Sequence, residues 1–129
     1  MKQIPITIFA VVLVGCGPSE LELSLIEAAR KGNIEAVKKH IANSKQGFFN
    51  NIDVNAADVL DKTALHYAAA EDRKEIVELL IGKGADVNAK NEREETPLDC
   101  GIKNKRSKIS DLLRKHGGKT GEELKAAGN

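Results

Sequence analysis

The chain has 129 residues, 20 basic and 19 acidic side chains and a formal net charge of +1, and only 3% of it is aromatic. That length suits one small domain. The balanced charge excludes the large basic excess by which nucleic-acid binders neutralise phosphates.

Lys2 gives the amino terminus a positive start, and the segment from Ile4 to Val14 is apolar except for Pro5 and Thr7. At about eleven residues this run is too short to span a bilayer as a helix, and it matches the apolar region of a secretory signal peptide. It ends Leu13-Val14-Gly15-Cys16, which resembles the bacterial lipobox. The resemblance implies that the Cys16 sulfur receives a diacylglyceryl group and that cleavage after Gly15 leaves an amino terminus that can be acylated too. A single acyl chain holds a protein only marginally, at about 0.8 kcal/mol per buried methylene, whereas two or three hold it firmly. The predicted divisions are a signal peptide over 1–15 and a lipidated cysteine with its tether over 16–22. An ordinary signal peptide with a coincidental cysteine, or an uncleaved apolar start, are the alternatives.

A first short helix is predicted from Leu23 to Arg30, with Leu25, Ala28 and Ala29 on its packing side, followed by a turn at Gly32-Asn33. Ile34, Val37 and Ile41 then form one apolar stripe of a second helix. An insertion over about 43–51 follows and carries Phe48 and Phe49. Two roles are open to these rings: an exposed contact for a partner, or a cover folded over the open end of the first repeat.

The central stretch reads Thr63-Ala64-Leu65-His66-Tyr67-Ala68-Ala69, then Glu75-Ile76-Val77-Glu78-Leu79-Leu80-Ile81, then Gly82-Lys83-Gly84-Ala85-Asp86-Val87-Asn88. Thr63 recurs as Thr96, Leu65 as Leu98 and Leu79-Leu80 as Leu112-Leu113, and Asp53-Val54-Asn55-Ala56 recurs as Asp86-Val87-Asn88-Ala89, always 33 residues apart. A fixed period of this length marks a repeat array. The array resembles ankyrin repeats over about residues 20–119. The resemblance implies an all-α solenoid of about three helix-turn-helix repeats with projecting loops: a domain over 23–119, divided at about 23–58, 59–91 and 92–119. Thr63 is predicted to cap its helix. By the resemblance, His66 is a structural histidine bridging groups in the turn between repeats. The family prefers glycine where this chain has Asp61, Asp72 and Glu94; Asp tolerates a positive φ better than Glu, so a strained or rearranged turn is expected at Glu94.

The last repeat opens Thr96-Pro97-Leu98-Asp99, with Pro97 suited to a first helical turn. Its second helix is predicted over about Ser107 to Lys115, with Ile109, Leu112 and Leu113 inward. Cys100 takes an apolar helix position, with no second cysteine beyond Cys16 to pair with. Gly117-Gly118 stops that helix, and Thr120-Gly121-Glu122-Glu123 has the capping-box pattern of a short closing helix within 120–129.

No nucleophile with a base, metal-ligand spacing or phosphate loop is legible, so no catalytic residue, metal or cofactor is expected. The leading reading is a membrane-anchored protein-protein interaction module of the bacterial cell envelope, monomeric, with an unidentified protein partner and the bilayer, reached through acylated Cys16, as its partners. Neither nucleic acid nor a small-molecule substrate is expected. A structural accessory that positions an envelope enzyme, or a small enzyme whose site is assembled only by folding, are the rivals. Arrays resembling this one bind proteins through loop tips and first helices. That implies a contact surface drawn from Val59, Leu60, Tyr67, Glu71, Lys90, Glu92 and Arg93, with Phe48 and Phe49 as the alternative.

Overall fold

The computed structural model describes residues 20–43 and 52–128. Cys16, Phe48 and Phe49 lie outside the described residues. Among the described residues seven helices follow in order: α1 Glu20–Lys31, α2 Ile34–Asn43, α3 Ala64–Ala70, α4 Lys74–Gly82, α5 Pro97–Lys103, α6 Ser107–Lys115 and α7 Gly121–Ala126. The first six are three helical hairpins. The first helices α1, α3 and α5 pack side by side in one row, and α2, α4 and α6 pack in a second row behind them. Among the described residues the only β-type pairing is an isolated antiparallel bridge between Ala57 and Thr63. This is an all-α repeat solenoid.

Local chemistry starts the first helices. Thr63, Thr96 and Thr120 are N-caps with extended backbones, and each side chain accepts from the backbone N–H three residues on. In each case the residue at that third position, His66, Asp99 or Glu123, reaches back to the cap's own N–H. Each reciprocal pair satisfies two donors that a helix start leaves without partners. Pro97 occupies the first turn of α5, where its missing N–H costs nothing. Ala68 and Ala69 are wholly inaccessible, and their size lets α3 lie close against both neighbours.

One core runs the length of the stack. Leu25, Val37, Leu65, Ile76, Val77, Leu80, Leu98, Ile109 and Leu113 are all essentially sealed from solvent. Leu112 differs from its predicted burial: it is only partly covered, and Leu113 is the sealed residue. The 33-residue period explains this, since Leu113 repeats the buried Leu80 whereas Leu112 repeats the half-buried Leu79.

Left-handed backbone recurs at fixed places. The residue between the two helices of each pair has positive φ: Gly32 at 77°, Asp72 at 61° and Lys105 at 60°. Asp61 at 58° and Glu94 at 63° repeat a second such position in the loops. The turn geometry is therefore kept where glycine is not, at a cost of about 1–2 kcal/mol for a residue with a Cβ. A Cβ at Gly32 would meet the Arg73 guanidinium at 2.6 Å, so the Arg73 side chain would have to shift. Arg73 and Arg106, 33 residues apart, both reach back to the end of the preceding first helix. Arg73 Nη2 donates to the Arg30 carbonyl at 3.4 Å and Arg106 Nε to the Ala70 carbonyl at 3.0 Å. A cation there satisfies a terminal carbonyl and faces the negative end of the helix dipole.

The strain gives a direct expectation. Lys105 is exposed, so Lys105→Gly removes little contact while relieving its left-handed backbone. Part of the gain is offset by the greater freedom of glycine in the unfolded chain. The net result should be up to about 1 kcal/mol of added stability, read as a rise in Tm of several degrees; a fall in Tm would mean the turn carries no strain.

Candidate protein-binding surface

Two loops project from the helices as narrow fingers, over 57–63 and 90–96. Each is shaped by one polar residue, Asp58 in the first and Asn91 in the second, 33 residues apart. Asp58 Oδ1 accepts from the N–H groups of Leu60 and Lys62 at 2.9 and 3.1 Å. Asn91 Oδ1 accepts from those of Arg93 and Glu95 at 2.8 and 3.0 Å. The backbone closes each finger in the same way, with Asp58 N–H donating to the Lys62 carbonyl and Asn91 N–H to the Glu95 carbonyl, both at 3.0 Å. Short side chains that bond the backbone a few residues on are the ordinary makers of such turns.

The fingers are tied to each other and to the helices. Glu92 N–H donates to the Leu60 carbonyl at 3.1 Å, which sets the two tips side by side. Asn55 and Asn88 each clamp the following loop: their side-chain oxygens accept from Asp86 N–H at 2.6 Å and Lys119 N–H at 2.7 Å. Their amide groups donate to the Gly84 and Gly117 carbonyls at 3.3 and 3.2 Å.

His66 is the strongest of these ties. It is 1% exposed. Nδ1 lies 3.1 Å from Thr63 N–H, which donates to it, and Nε2 lies 3.0 Å from the Glu95 carbonyl. A carbonyl can only accept, so Nε2 carries the proton and the ring is neutral. Burial pushes its pKa below the usual histidine value, with the Lys62 charge adding to the effect and the Glu95 carbonyl opposing it.

Asp99, at the equivalent place in the last repeat, has the opposite hydrogen-bonding character. Its Oδ2 accepts from Thr96 N–H at 2.9 Å and from Gly121 N–H at 2.7 Å, so it anchors the start of α7. Arg114 Nη1 reaches both oxygens of Glu123 at 2.7 Å, holding that carboxyl at about 2, far below the usual carboxylate value. Leu124 is buried beneath.

The residues that the sequence nominated fall into distinct settings. Val59 is 95% exposed and Leu60 38% exposed at the first tip. Glu92 and Arg93 are exposed at the second, and the Glu92–Leu60 bond brings these four together. Tyr67 is half-buried below them. Its hydroxyl donates to Asp58 Oδ2 at 2.5 Å, and Lys62 Nζ stands 5.4 Å from its ring centre. Burial and then the Asp58 carboxylate push the Tyr67 hydroxyl up to about 12. Tyr67 thus has its hydroxyl committed to the finger. Lys90 is paired with Glu94 at 3.2 Å, and Glu71 is the exposed C-cap residue of α3, one turn on from Tyr67.

Three contributors escaped the sequence reading. Asp58 and Asn91 build the fingers, and their 33-residue spacing was the available signal. Ile102 is 50% exposed on α5, whereas Ala69, which it repeats, is wholly inaccessible; among the described residues no further repeat follows α6 to cover it.

Chemically the surface offers apolar tips, mixed charges and rigid backbone. Cys100 is buried and unpaired, and burial, reinforced by the Glu95 charge, pushes its thiol up to about 11. That is the opposite of the depressed pKa by which a thiol becomes nucleophilic. Among the described residues no group of three or more His, Cys, Asp or Glu side chains is placed to hold a metal ion. No described helix is long and apolar enough to cross a membrane.

Residues 25–123 match the family model for ankyrin repeats in three copies. A serine/threonine-protein kinase 12 from Arabidopsis thaliana is 36% identical over 95 residues, which is 74% of this chain and 19% of that protein. The human ankyrin repeat and IBR domain-containing protein 1 is 44% identical over 62 residues, 48% of this chain and 6% of that protein. The human neurogenic locus notch homolog protein 1 is 42% identical over 74 residues, 57% of this chain and 3% of that protein. The chain thus spans less than a fifth of the length of each of these relatives. The family model covers most of the chain, and the chain belongs to the ankyrin-repeat family, whose repeats imply a protein-protein interaction module.

Proposed function

We propose that this protein is a lipid-anchored, non-catalytic binding module of the bacterial cell envelope, which presents its finger tips to a protein partner. The observation that carries the binding half is Val59, 95% exposed beside Leu60 on a finger fixed by hydrogen bonds. A valine side chain on a braced, exposed tip costs little ordering of the backbone on binding and gains free energy when covered. Arg93 and Glu92 on the adjoining tip supply charge that selects the partner, with Tyr67, Glu71 and Lys90 flanking them. Phe48 and Phe49 are the alternative contact residues.

The anchoring half rests on the order of Lys2, the apolar run and Leu13-Val14-Gly15-Cys16. Acylated Cys16 would hold the repeats close to a membrane through Gly17-Pro18-Ser19, and the partner would be an envelope protein. Mass spectrometry of protein from the native host should find a mature chain beginning at Cys16 with added diacylglyceryl mass, and Cys16→Ser should abolish both the mass and the membrane fraction. An unmodified chain starting elsewhere contradicts the anchor. Gentle detergent extraction with co-purification tests the partner. Activity of any captured enzyme, measured with and without this protein, separates a regulatory module from a positioning accessory.

A further inference from the structure

The stack ends without a third finger. After the second helix of the middle repeat, Gly84 is followed by the next capping threonine, Thr96, twelve positions later; after α6, Gly117 is followed by Thr120 only three positions later. The nine missing residues are those that would build a finger beside 90–96. Within the molecule the first finger offers the Leu60 carbonyl to the second finger's Glu92 N–H. One period on, the Arg93 carbonyl holds the place of Leu60, and it accepts no hydrogen bond among the described residues. The next carbonyl, that of Glu94, is closed off: it lies so near Gly121 that a Cβ there would come within 2.1 Å of it.

Beside this open edge is a cleft of about 420 Å³ between the second finger, α5 and α7, lined by Arg93, Glu94, Ile102, Lys103, Glu122 and Lys125 among others. Its floor includes the half-exposed Ile102. Lys103 is paired with Glu95 at 2.9 Å and Glu94 with Lys90. Arg93 and Lys125 make no ion pair among the described residues, nor does Glu122, whereas Asp99 in the same lining is engaged by the Thr96 and Gly121 N–H groups.

We infer that this cleft takes an extended segment of the protein partner, which adds to the edge of the second finger as the absent third finger would. The segment donates a backbone N–H to the Arg93 carbonyl, in the register that Glu92 already uses on Leu60. It lays an apolar side chain on Ile102 and carries acidic residues toward Arg93 and Lys125. Adding a strand to an open edge takes its affinity from main-chain bonds and its selectivity from the pockets under alternate side chains. The inference rests on the protein-binding reading above and narrows it to one edge and one kind of segment.

The test is an NMR titration of the full chain in detergent with the blocked pentapeptide Ac-Asp-Val-Glu-Leu-Glu-NH2, and with a set of the same peptide N-methylated at each position in turn. Amide shifts should gather at Arg93 to Glu95, Ile102, Lys103 and Gly121 to Lys125. Methylation at one position should weaken binding roughly threefold to tenfold, as expected for a lost hydrogen bond, and Ile102→Asp and Lys125→Glu should each weaken it at unchanged Tm. Shifts confined to Val59 and Leu60 overturn this inference while leaving the finger tips as a binding surface. Equal binding by every methylated peptide, or no shift at millimolar peptide, overturns it as well; the wider binding reading is then judged by partner capture alone.

Discussion

Leu80→Ala should cost about 2–5 kcal/mol, the range for a fully buried leucine whose cavity collapses only in part. Leu80 is 0% exposed. It lies in α4, which packs between α2 and α6 and against α3, so the cavity opens at the centre of the stack. Repeat arrays hold together through contacts with immediate neighbours, and the middle pair of helices serves both ends. A small domain has only about 5–15 kcal/mol of total stability, so this one change should leave much of the population unfolded at physiological temperature. Urea unfolding followed by circular dichroism measures it. Leu79→Ala, one residue away and half-buried, should cost distinctly less. Equal losses at the two positions would mean that the helix is rotated from the orientation described.

His66→Ala should be the next most damaging change. It removes a ring bonded at both nitrogens and leaves Thr63 N–H and the Glu95 carbonyl without their partner. Unsatisfied buried groups cost about 1–3 kcal/mol each, and water entering the gap recovers part of that, so a loss of about 2–4 kcal/mol is expected. The same residue gives a pH signature. Its folded pKa is lowered by burial, and an unfolded histidine titrates near 6.5. The unfolded chain therefore binds the proton first, and the stabilising share of the neutral ring is full above about pH 6.5 and declines as pH falls below it. His40, lowered by burial and by Lys39, acts with the same sign. The His66 share is thus the difference between the wild-type and His66→Gln stability curves from pH 7 to 5. Parallel curves would show that the ring does not hold its proton as described. At lower pH, Glu123, with a folded value of about 2, loses its bond to Arg114, and the hold on α7 should weaken as pH falls from about 4.5 toward 2.

Much of this fold was legible because one period governs it. The recurrence of Thr63 at Thr96, of Leu65 at Leu98 and of the Asp-Val-Asn-Ala segments marks the cap, core and loop positions together. What the sequence concealed depends on through-space partners. Leu112 and Leu113 are both leucines, so only strict alignment with Leu79 and Leu80 tells which is sealed. Lys105 takes a left-handed backbone, although lysine gives no sign of it; Gly32, forty residues before Asp72, was the clue. The sequence marks Tyr67 only as a contact residue; that its hydroxyl donates to Asp58, nine residues earlier, depends on the first finger having folded back. Ile102 reads as one more apolar helix position until the shortened last loop leaves it half uncovered. On the candidate surface, Val59 and Leu60 were legible as apolar residues at a tip, whereas the Glu92–Leu60 bond that joins the tips is made by backbone and has no side-chain signature.

The central claim is that the braced finger tips form the contact surface for a protein partner. The most direct measurement is the affinity of a captured partner for the full chain and for its Leu60→Ala, Tyr67→Ala and Arg93→Ala variants, with Tm recorded for each. The account predicts weaker binding by Leu60→Ala and Arg93→Ala at unchanged Tm, and some loss of Tm only for Tyr67→Ala, whose hydroxyl helps to brace the finger. Intact affinity in all three, with binding lost instead on changing Phe48 and Phe49, would contradict it and move the contact surface to the insertion.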